Sequence, residues 1–427
     1  MHNLLKKFIF FSGIFFLLFF FLIFVAYLLI DNNILNLKTK LYKNYPNIQI
    51  RKDIFNKKSI VENINNDYNI KFLPYTEFEK VSFRTVKINF SKEYYNPRND
   101  ESIAYKKYGT FFIDFFQDDL LLTDYQGTIY LIRNFNHAFK ANVISPLKLN
   151  KNANFERVYD TLIIDQTIYI SHSETKNNCK TPNISFANLD YKKLIFKKFY
   201  TSSECNKNGS PGKLQPYKFE NKNGLLMSTA VGKNDLIDTK IQDENSIYGK
   251  ILFIPIDGSD SKILSKGHRV IQGLNVDDNN ILATEHGPRG GDEINKILEN
   301  GNYGWPIASY GERYDFKYTD KKISYKKNHE QNNFIEPIFS FLEGIGISEI
   351  IKVPINFSKY YSNHYALASL NGRTLYLLQF NKDNNKLLTL EKIFLNYRIR
   401  DLKYYDKEKS FILALEEDGY LGILQKN

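Results

Sequence analysis

Residues 284–311, TEHGPRGGDEINKILENGNYGWPIASYG, concentrate the residue types that could do chemistry. His286, Arg289, Asp292 and Glu293 place four ionisable side chains within eight residues. The glycines between them allow positive φ angles and let another group approach the backbone closely. A charged, glycine-rich loop at the end of a strand is a common location for a binding or catalytic site. A structural turn with incidental charges is the alternative interpretation.

The elements that must position this loop are strands, and they repeat. Ile281-Leu282-Ala283 predicts a strand that leads directly into the loop. The repeating segment is an apolar strand that ends near Thr, Ser or Glu. A turn follows it, and often a glycine before the next strand. Segments of this form begin at Leu120, Ile168, Leu225, Ile281, Ala366 and Phe411. Most intervals are near the roughly 40–50 residues of a propeller blade. The sequence therefore predicts an all-β six-bladed β-propeller, with a twin β-sandwich as the alternative.

The amino terminus predicts one transmembrane helix before the propeller. Lys6 and Lys7 precede an uncharged apolar run from Phe8 to Ile30, 23 residues long. That length spans a bilayer core, and no convincing cleavage site follows it. We expect a tail at 1–7, a signal anchor at 8–30, a polar stalk at 31–66 and the propeller at 67–427. A single span of this kind predicts a propeller in the periplasm or outside the cell.

Charge and cysteine content narrow the class of protein. The net charge is +11, but the lysines are dispersed and no nucleic-acid-binding motif accompanies them. We therefore expect a basic solvated surface and no nucleic-acid partner. The two cysteines, Cys179 and Cys205, could form a disulfide in an oxidising compartment, or remain two buried thiols.

Several motifs give the chain a resemblance to a known family. They are GHR at 267–269, QGL at 272–274, EHGPRGGDEIN followed by GNYGWP, and YRIRD at 397–401. The chain resembles the quinoprotein sugar dehydrogenases, the soluble glucose and aldose sugar dehydrogenases with a glucose/sorbosone dehydrogenase domain. The likeness is good over residues 245–427, whereas residues 67–240 match only in repeat form. It implies a six-bladed propeller that carries pyrroloquinoline quinone (PQQ) and calcium and oxidises a small sugar.

The resemblance also implies roles for individual residues. The carbonyls of Gly287 and Pro288 match calcium ligands, and hard oxygen ligands suit that ion. Arg269, Arg398 and Arg400 match arginines that meet the cofactor's carboxylates and quinone oxygens, with Arg269 also assisting catalysis. The remaining cofactor-binding candidates are His286, Asp292 and Asn371. Alternatively, Arg398 and Arg400 share one strand face and pair with Glu416 or Glu417.

Three departures from the family pattern concern the chemistry. Val270 stands where a cofactor-binding Asn is expected, and Asn371 stands where the glucose enzymes have a Lys. The region of the family's catalytic His reads Arg157-Val158-Tyr159-Asp160-Thr161, without a histidine. A base for this reaction should titrate near neutrality, which an arginine does not do.

His172 is therefore a candidate substitute base, with a plain loop or edge histidine as the alternative. Asp160 and Glu174 are carboxylates near it in sequence. The sequence thus predicts a membrane-anchored, extracytoplasmic PQQ-dependent dehydrogenase of an aldose or related alcohol, with an unknown electron acceptor. The alternative is a propeller that has lost its base and binds a sugar, glycan or protein partner without turnover.

Overall fold

The first strands of successive sheets contact one another in a closed ring. The structure, a computed structural model, describes residues 81–90, 110–205, 210–230, 239–278, 280–313, 325–416 and 419–426. Strands in these ranges form six sheets. The first strand of each sheet contacts the first strands of the two neighbouring sheets. This arrangement confirms the all-β six-bladed propeller.

Blades one to three follow the chain from Phe111, with strands given from the axis outwards. Blade one contains β2 (Phe111–Phe116), β3 (Asp119–Asp124), β4 (Ile129–Ile132) and β6 (Leu147–Lys148). Blade two contains β7 (Arg157–Ile164), β8 (Thr167–Lys176), β9 (Cys179–Asn188) and β10 (Lys197–Thr201). Blade three contains β11 (Ser210–Phe219), β12 (Lys222–Ala230), β13 (Lys250–Pro255), β14 (Lys262–Lys266) and the short parallel β18 (Gly301–Asn302).

Blades four to six complete the ring. Blade four contains β15 (Ile271–Asp277), β16 (Asn280–Glu285), β17 (Asp292–Ile297) and β19 (Phe339–Phe341). Blade five contains β20 (Ile347–Lys352), β21 (His364–Ser369), β22 (Thr374–Phe380) and β23 (Leu387–Phe394). Blade six contains β24 (Ile399–Tyr405), β25 (Ser410–Leu415), β26 (Tyr420–Lys426), β1 (Val81–Ile88) and β5 (Val143–Ile144). Short helical turns lie at Phe135–Ala138, Thr239–Ile241 and Glu330–Asn332.

The amino-terminal strand β1 closes the ring, which repeat counting did not predict. It pairs antiparallel with β26, from Val81 opposite Lys426 to Lys87 opposite Tyr420. The described strands all belong to the compact unit Glu77–Asn427. No helix among the described residues has the length and apolar character needed to cross a bilayer. The expected anchor at 8–30 and stalk at 31–66 lie outside the described residues.

The apolar core lies between the blades. The six repeats found in the sequence are the second strands, and their apolar residues are buried on both sides, as with Leu120, Leu225 and Phe411. Separate clusters fill the spaces between neighbouring blades. A blade is covered by a neighbour on each face, so its strands read as continuous apolar runs.

Carboxylates close the inner edges of the first strands. These strands have no β neighbour on the axis side, so their amide groups need other acceptors. Asp401 of blade six accepts the amide of Ile113 in blade one at 2.8 Å. Asp114 of blade one likewise accepts from Ile163 in blade two, at 2.7 Å. Acidic side chains thus link one blade to the next around the axis.

A buried ionic cluster crosses the axis. The Nζ of Lys213 in blade three lies 2.6 Å from Asp160 of blade two and 2.5 Å from Glu349 of blade five. Asp401 of blade six lies 3.9 Å from the same nitrogen. Burial alone would lower the pKa of Lys213, but these carboxylates outweigh it and hold the pKa well above its ordinary value. Lys213 therefore remains charged in the core.

The face of the propeller where the first strands begin is called the upper face here. The loops between second and third strands and those between consecutive blades meet there. Cys179 and Cys205 also lie on this side and form a disulfide, with Cα atoms 5.4 Å apart. The disulfide was one of two alternatives left open by the sequence, and the free-thiol alternative is wrong. It ties the β8–β9 turn to the segment after β10.

Candidate functional site

The glycine-rich loop between β16 and β17 lies on the upper face. Gly290 and Gly291 have φ angles of +76° and +69°, which allow the tight turn expected from the sequence. A side chain on Gly287 would meet the carbonyl oxygens of Gly290 and Gly291 at 2.1 and 2.3 Å. The loop therefore folds back on itself so closely that only glycine fits at its start.

Asp292 holds the loop through its two carboxylate oxygens. Its Oδ1 accepts the amide of Gly287 at 3.0 Å, and its Oδ2 accepts the amide of Ile347 at 3.1 Å. The His286 Nδ1 lies 3.6 Å from Oδ1. Burial alone would raise the pKa of Asp292, but His286 and the two amides outweigh it, so the pKa lies below its ordinary value. The carboxylate is thus an ionised anchor for the loop.

Arg269 reaches from the start of blade four onto the same loop. One of its terminal nitrogens, Nη1, donates to the carbonyls of His286 at 3.1 Å and Gly287 at 2.9 Å. Its guanidinium carbon lies 5.3 Å from the ring centre of Trp305. A cation therefore lies directly against the Gly287 carbonyl, one of the two backbone oxygens proposed as ligands, and against the single tryptophan of the chain.

Arg398 and Arg400 lie on the same upper face and share one carboxylate. The Nε of Arg400 is 2.6 Å from Glu416 Oε1, and the Nε of Arg398 is 3.2 Å from Oε2. Arg400 also donates to Gln272, the second residue of β15 in blade four, at 2.8 Å. The structure therefore brings Arg400 to Gln272, three positions after Arg269 in the chain, and it also forms the Glu416 pairing that the sequence left as an alternative.

A small cavity lies beneath the loop. Its volume is about 10 Å³, and its lining includes Arg269, Glu285, Glu293 and Tyr303. Burial and the nearby charge of Glu285 raise the pKa of Glu293 well above its ordinary value. This volume suits a single water molecule. A larger ligand would have to lie outside this cavity, at the centre of the upper face, which is called the mouth here.

The two departures from the family pattern near the site behave as ordinary backbone supports. Val270 accepts a hydrogen bond from the His286 amide through its backbone carbonyl at 2.9 Å. Its side chain has no donor or acceptor and therefore supplies no polar contact. Asn371 is exposed and donates to the Gly344 carbonyl at 2.9 Å. Gly344 approaches Gly290, so Asn371 lies beside the loop but not in the cavity lining.

His172 lies in the interior of blade two and does not reach the mouth. It is fully buried in β8, with Nε2 2.8 Å from Ser185 Oγ and its ring 4.6 Å from that of Phe155. Burial lowers its pKa to about 4. The prediction that His172 is the base is therefore wrong, because a buried ring cannot contact a sugar. Of the described histidines, His286 is the one that lines the cavity.

Arg157 and the two carboxylates near His172 in sequence have structural partners. Arg157 lies with its guanidinium 4.6 Å from the rings of both Tyr125 and Tyr159. Glu174 forms a surface ion pair with Lys198 at 2.7 Å. Asp160 belongs to the buried axial cluster. Each therefore has a role in holding the blade that accounts for its position.

The metal-ligating candidates are backbone atoms. Among the described residues, no group of three or more His, Cys, Asp or Glu side chains is arranged to hold a metal ion. The Gly287 carbonyl already accepts a hydrogen bond from Arg269 in this structure. Two carbonyls are few for calcium, which takes six to eight oxygens, so the bound ligand or water would have to supply the others.

Sequence reasoning missed Gln272 as an arginine partner. Its only signal was its position in the segment QGL, directly after GHRVI. Glu416 was expected solely as an alternative explanation of the arginine pair. Arg400 and Gln272 are 128 positions apart, whereas Glu416 is only 18 and 16 positions from Arg398 and Arg400.

Comparison with known proteins gives consistent results. A family model described as Glucose / Sorbosone dehydrogenase matches residues 113–423. The aldose sugar dehydrogenase YliI of Escherichia coli is 27% identical over 223 residues, 48% of this chain and 57% of that protein. An uncharacterized protein of Synechocystis is 28% identical over 219 residues, 46% of this chain and 52% of that protein. The chain thus spans about half the length of these curated relatives.

Solved structures share the fold at low sequence identity. The apo aldose sugar dehydrogenase of E. coli has a TM-score of 0.62 at 19% identity, covering 82% of this chain and all of that one. The PQQ-bound aldose sugar dehydrogenase of Streptomyces coelicolor has a TM-score of 0.56 at 16% identity, covering 82% of this chain and 99% of that one. At these identities the likeness establishes the propeller alone.

Proposed function

Because the chain belongs to the glucose/sorbosone dehydrogenase family, we propose that it is a quinoprotein dehydrogenase that oxidises an aldose sugar or related alcohol. The observation that carries the proposal is the grouping of Arg269, Arg400 and the loop at Gly287 on one end of the propeller. A fold alone does not specify an activity, whereas a site with matching chemistry supports one.

The residues present fit an anionic quinone through charge. PQQ carries carboxylates, and guanidinium groups bind carboxylates in paired hydrogen bonds. Arg398 and Arg400 contribute two positive charges against the single charge of Glu416, and Arg269 contributes a third. Arginines on one face of the propeller favour an anionic ligand over a neutral one there. The cavity of about 10 Å³ adds no preformed slot, so the cofactor would lie across the mouth.

When bound, PQQ would supply the hydride-accepting quinone. Arg269 would orient the quinone and stabilise negative charge on its oxygens, while Arg398 and Arg400 would hold its carboxylates. The carbonyls of Gly287 and Pro288 would contribute two oxygens to a calcium ion shared with the cofactor. His286 and Asp292 would keep those carbonyls in place, and Asn371 would border the site.

Reconstitution tests the proposal directly. The full chain, purified in detergent, would be incubated with PQQ and Ca²⁺, passed over a desalting column and assayed for dye reduction with a panel of aldoses. We expect retained cofactor absorbance and turnover with at least one sugar. Arg269→Gln should weaken cofactor binding by about 10- to 100-fold, the value of lost charge-assisted hydrogen bonds. Arg133→Gln, an exposed arginine remote from this face, is the control.

Two results would redirect the proposal. Retained PQQ without dye reduction across the panel would favour the binding-only propeller. Failure to retain PQQ with or without calcium would contradict the quinoprotein assignment itself.

We also propose that residues 8–30 anchor the propeller to a membrane, with the propeller in the periplasm or outside the cell. The long uncharged run supports the anchor. The Cys179–Cys205 disulfide supports an oxidising compartment. Mass spectrometry of the mature chain should find residues 8–30 present, and an amino terminus beyond residue 30 would contradict the anchor.

A further inference from the structure

Arg398 and Arg400 converge on a single buried carboxylate. Arg398 donates from both Nε and Nη2 to Glu416 Oε2, each at 3.2 Å. Arg400 directs Nε and Nη2 to Oε1, each at 2.6 Å. Each guanidinium thus turns the same edge, its Nε side, towards Glu416. Two contacts per guanidinium fix the plane of the group as well as its position.

This assembly is held from several parts of the fold. Thr110, just before blade one, donates its hydroxyl to Glu416 Oε1 at 2.9 Å. Gln272 of blade four accepts from Nη1 of Arg400 at 2.8 Å. The backbone amide of Glu416 donates to the Arg398 carbonyl at 2.9 Å. Arg400 is therefore fixed on both sides, by blade six and by blade four.

Glu416 lies beneath the two arginines. Its side chain is 4% exposed, whereas those of Arg398 and Arg400 are 16% and 18% exposed. Burial alone would raise the pKa of Glu416, but Arg400 and Arg398 outweigh it and hold the pKa below its ordinary value. The carboxylate is therefore a charged group that is more deeply buried than the two guanidinium groups paired with it.

We propose that Glu416 is a positioning residue that presets Arg398 and Arg400 as a matched pair for an anionic, carboxylate-bearing ligand at the mouth of the channel. The proposal rests on the proposed function for the identity of that ligand. An arginine side chain loses much rotamer freedom when it binds, and a prior anchor removes that cost from the binding step.

The effect on ligand affinity of removing the charge of Glu416 depends on the role of that carboxylate. An anchor makes ligand binding weaker when it is lost, even though the pocket becomes more positive. A carboxylate that merely competes with the ligand makes binding tighter when it is lost. A purely structural carboxylate changes the stability of the fold and leaves ligand affinity as it was.

The binding experiment uses PQQ with Ca²⁺, titrated into full-length wild type and Glu416→Gln. Quenching of emission from Trp305, the single tryptophan, reports binding independently of turnover. We expect affinity about tenfold weaker in Glu416→Gln. Glu391→Gln is the matched control. Glu391 lies on the outer strand of blade five and, like Glu416, accepts a side-chain hydrogen bond, in its case from Tyr361. Unchanged or tighter binding in Glu416→Gln would overturn the positioning role.

A second measurement does not depend on PQQ. In ¹⁵N-labelled wild type, the Nε–H signals of Arg398 and Arg400 should be protected from solvent exchange, because both donate to Glu416. Assignment comes from Arg398→Lys and Arg400→Lys. Both signals should lose protection in Glu416→Gln, and persistent protection would overturn the anchor. Loss of protection with no PQQ binding in wild type would leave the anchor standing and reject the ligand.

Glu416→Asp covers the case in which the glutamine variant does not fold. It keeps the charge but is one methylene shorter, so it cannot reach both guanidinium groups equally. We expect protection of one Nε–H to fall and PQQ affinity to lie between those of wild type and Arg400→Lys. Full wild-type affinity and protection in Glu416→Asp would overturn the requirement for a two-arginine anchor.

Discussion

At the scale of single residues, this site depends on backbone conformation as much as on side-chain chemistry. The loop carbonyls point where they do because Gly287, Gly290 and Gly291 allow contacts that a Cβ atom would prevent. Arg269 and Asp292 then hold the two sides of the loop, one through carbonyls and one through an amide. The cation, the anion and the turn form one unit.

Gly291→Ala tests the packing of this turn. A Cβ at this position would lie 2.1 Å from the amide nitrogen of Gly311, at a φ of +69°. We expect a loss of about 3 kcal/mol or more in unfolding free energy, because strain and a backbone clash combine. Urea unfolding followed by Trp305 emission measures it.

The control for that variant is Gly258→Ala. Gly258 has a similar φ of +79°, but no atom lies within 4 Å of the position that an alanine methyl would occupy. It should therefore lose only about 1 kcal/mol from the unfavourable φ. Equal losses for the two variants would show that the close approach to Gly311 has no energetic weight.

At the scale of elements, the upper face is built from connections whose ends are fixed by neighbouring strands. The disulfide joins the β8–β9 turn to the segment containing Glu204. Glu204 in turn accepts the amide of Ile247 at 2.8 Å, beside the aromatic cluster of Tyr248 and Trp305. The disulfide therefore connects blade two to the surroundings of the site through one short segment.

Replacing both Cys179 and Cys205 by Ser tests this connection. The bridge spans 26 positions, for which chain-entropy arguments give about 3 kcal/mol of stability. We expect denaturant unfolding to show a loss of that order. Reductant should destabilise wild type to the level of the double variant and leave the variant itself unchanged. An equal loss of stability in both proteins on adding reductant would show that the loss does not come from this disulfide.

At the scale of the whole molecule, the axis is ionic, whereas the spaces between blades are apolar. Lys213 joins carboxylates from blades two, five and six in one buried cluster. Removing one member of such a cluster leaves an uncompensated buried charge, which is strongly destabilising. The cluster thus makes the closure of the ring depend on several blades at once.

The difference in unfolding free energy between wild type and Glu349→Gln should depend on pH. Burial, despite the opposing charge of Lys213, raises the pKa of Glu349 to about 7, with Asp401, Lys403 and Asp160 also facing it. A carboxyl whose pKa is raised on folding stabilises the fold fully below the unfolded pKa, and that contribution is lost as pH rises through the folded pKa. The difference in unfolding free energy, wild type minus variant, should therefore fall by about 3 kcal/mol between pH 4.5 and 7.5.

Urea unfolding across that pH range measures this difference. Exposed Glu330→Gln is the control and should run parallel to wild type. A wild-type minus Glu349→Gln difference that is constant with pH, or that rises, would contradict the assignment of Glu349 as a raised-pKa group of the axial cluster.

The sequence by itself determined the blade count, because each second strand is apolar on both faces and recurs at blade length. It also determined the loop, since glycine, proline and charged residues act locally: Gly290, Gly291 and Asp292 turn as expected. The closing strand β1 carried no repeat signal, because its place depends on pairing with a strand more than 300 positions away.

Only the tertiary structure decided what the charged residues do. The sequence suggested that His172 lies near a strand end, yet Phe155 and Ser185 pack against it and bury it. Asp160 and Lys213, 53 positions apart, meet at the axis because ring closure brings every first strand together. Gln272 of blade four reaches Arg400 of blade six for the same reason, whereas Glu416 follows β25 of the same blade as Arg400. Periodicity and turn chemistry are local properties that a sequence displays, whereas contacts across the axis exist only once six blades have closed.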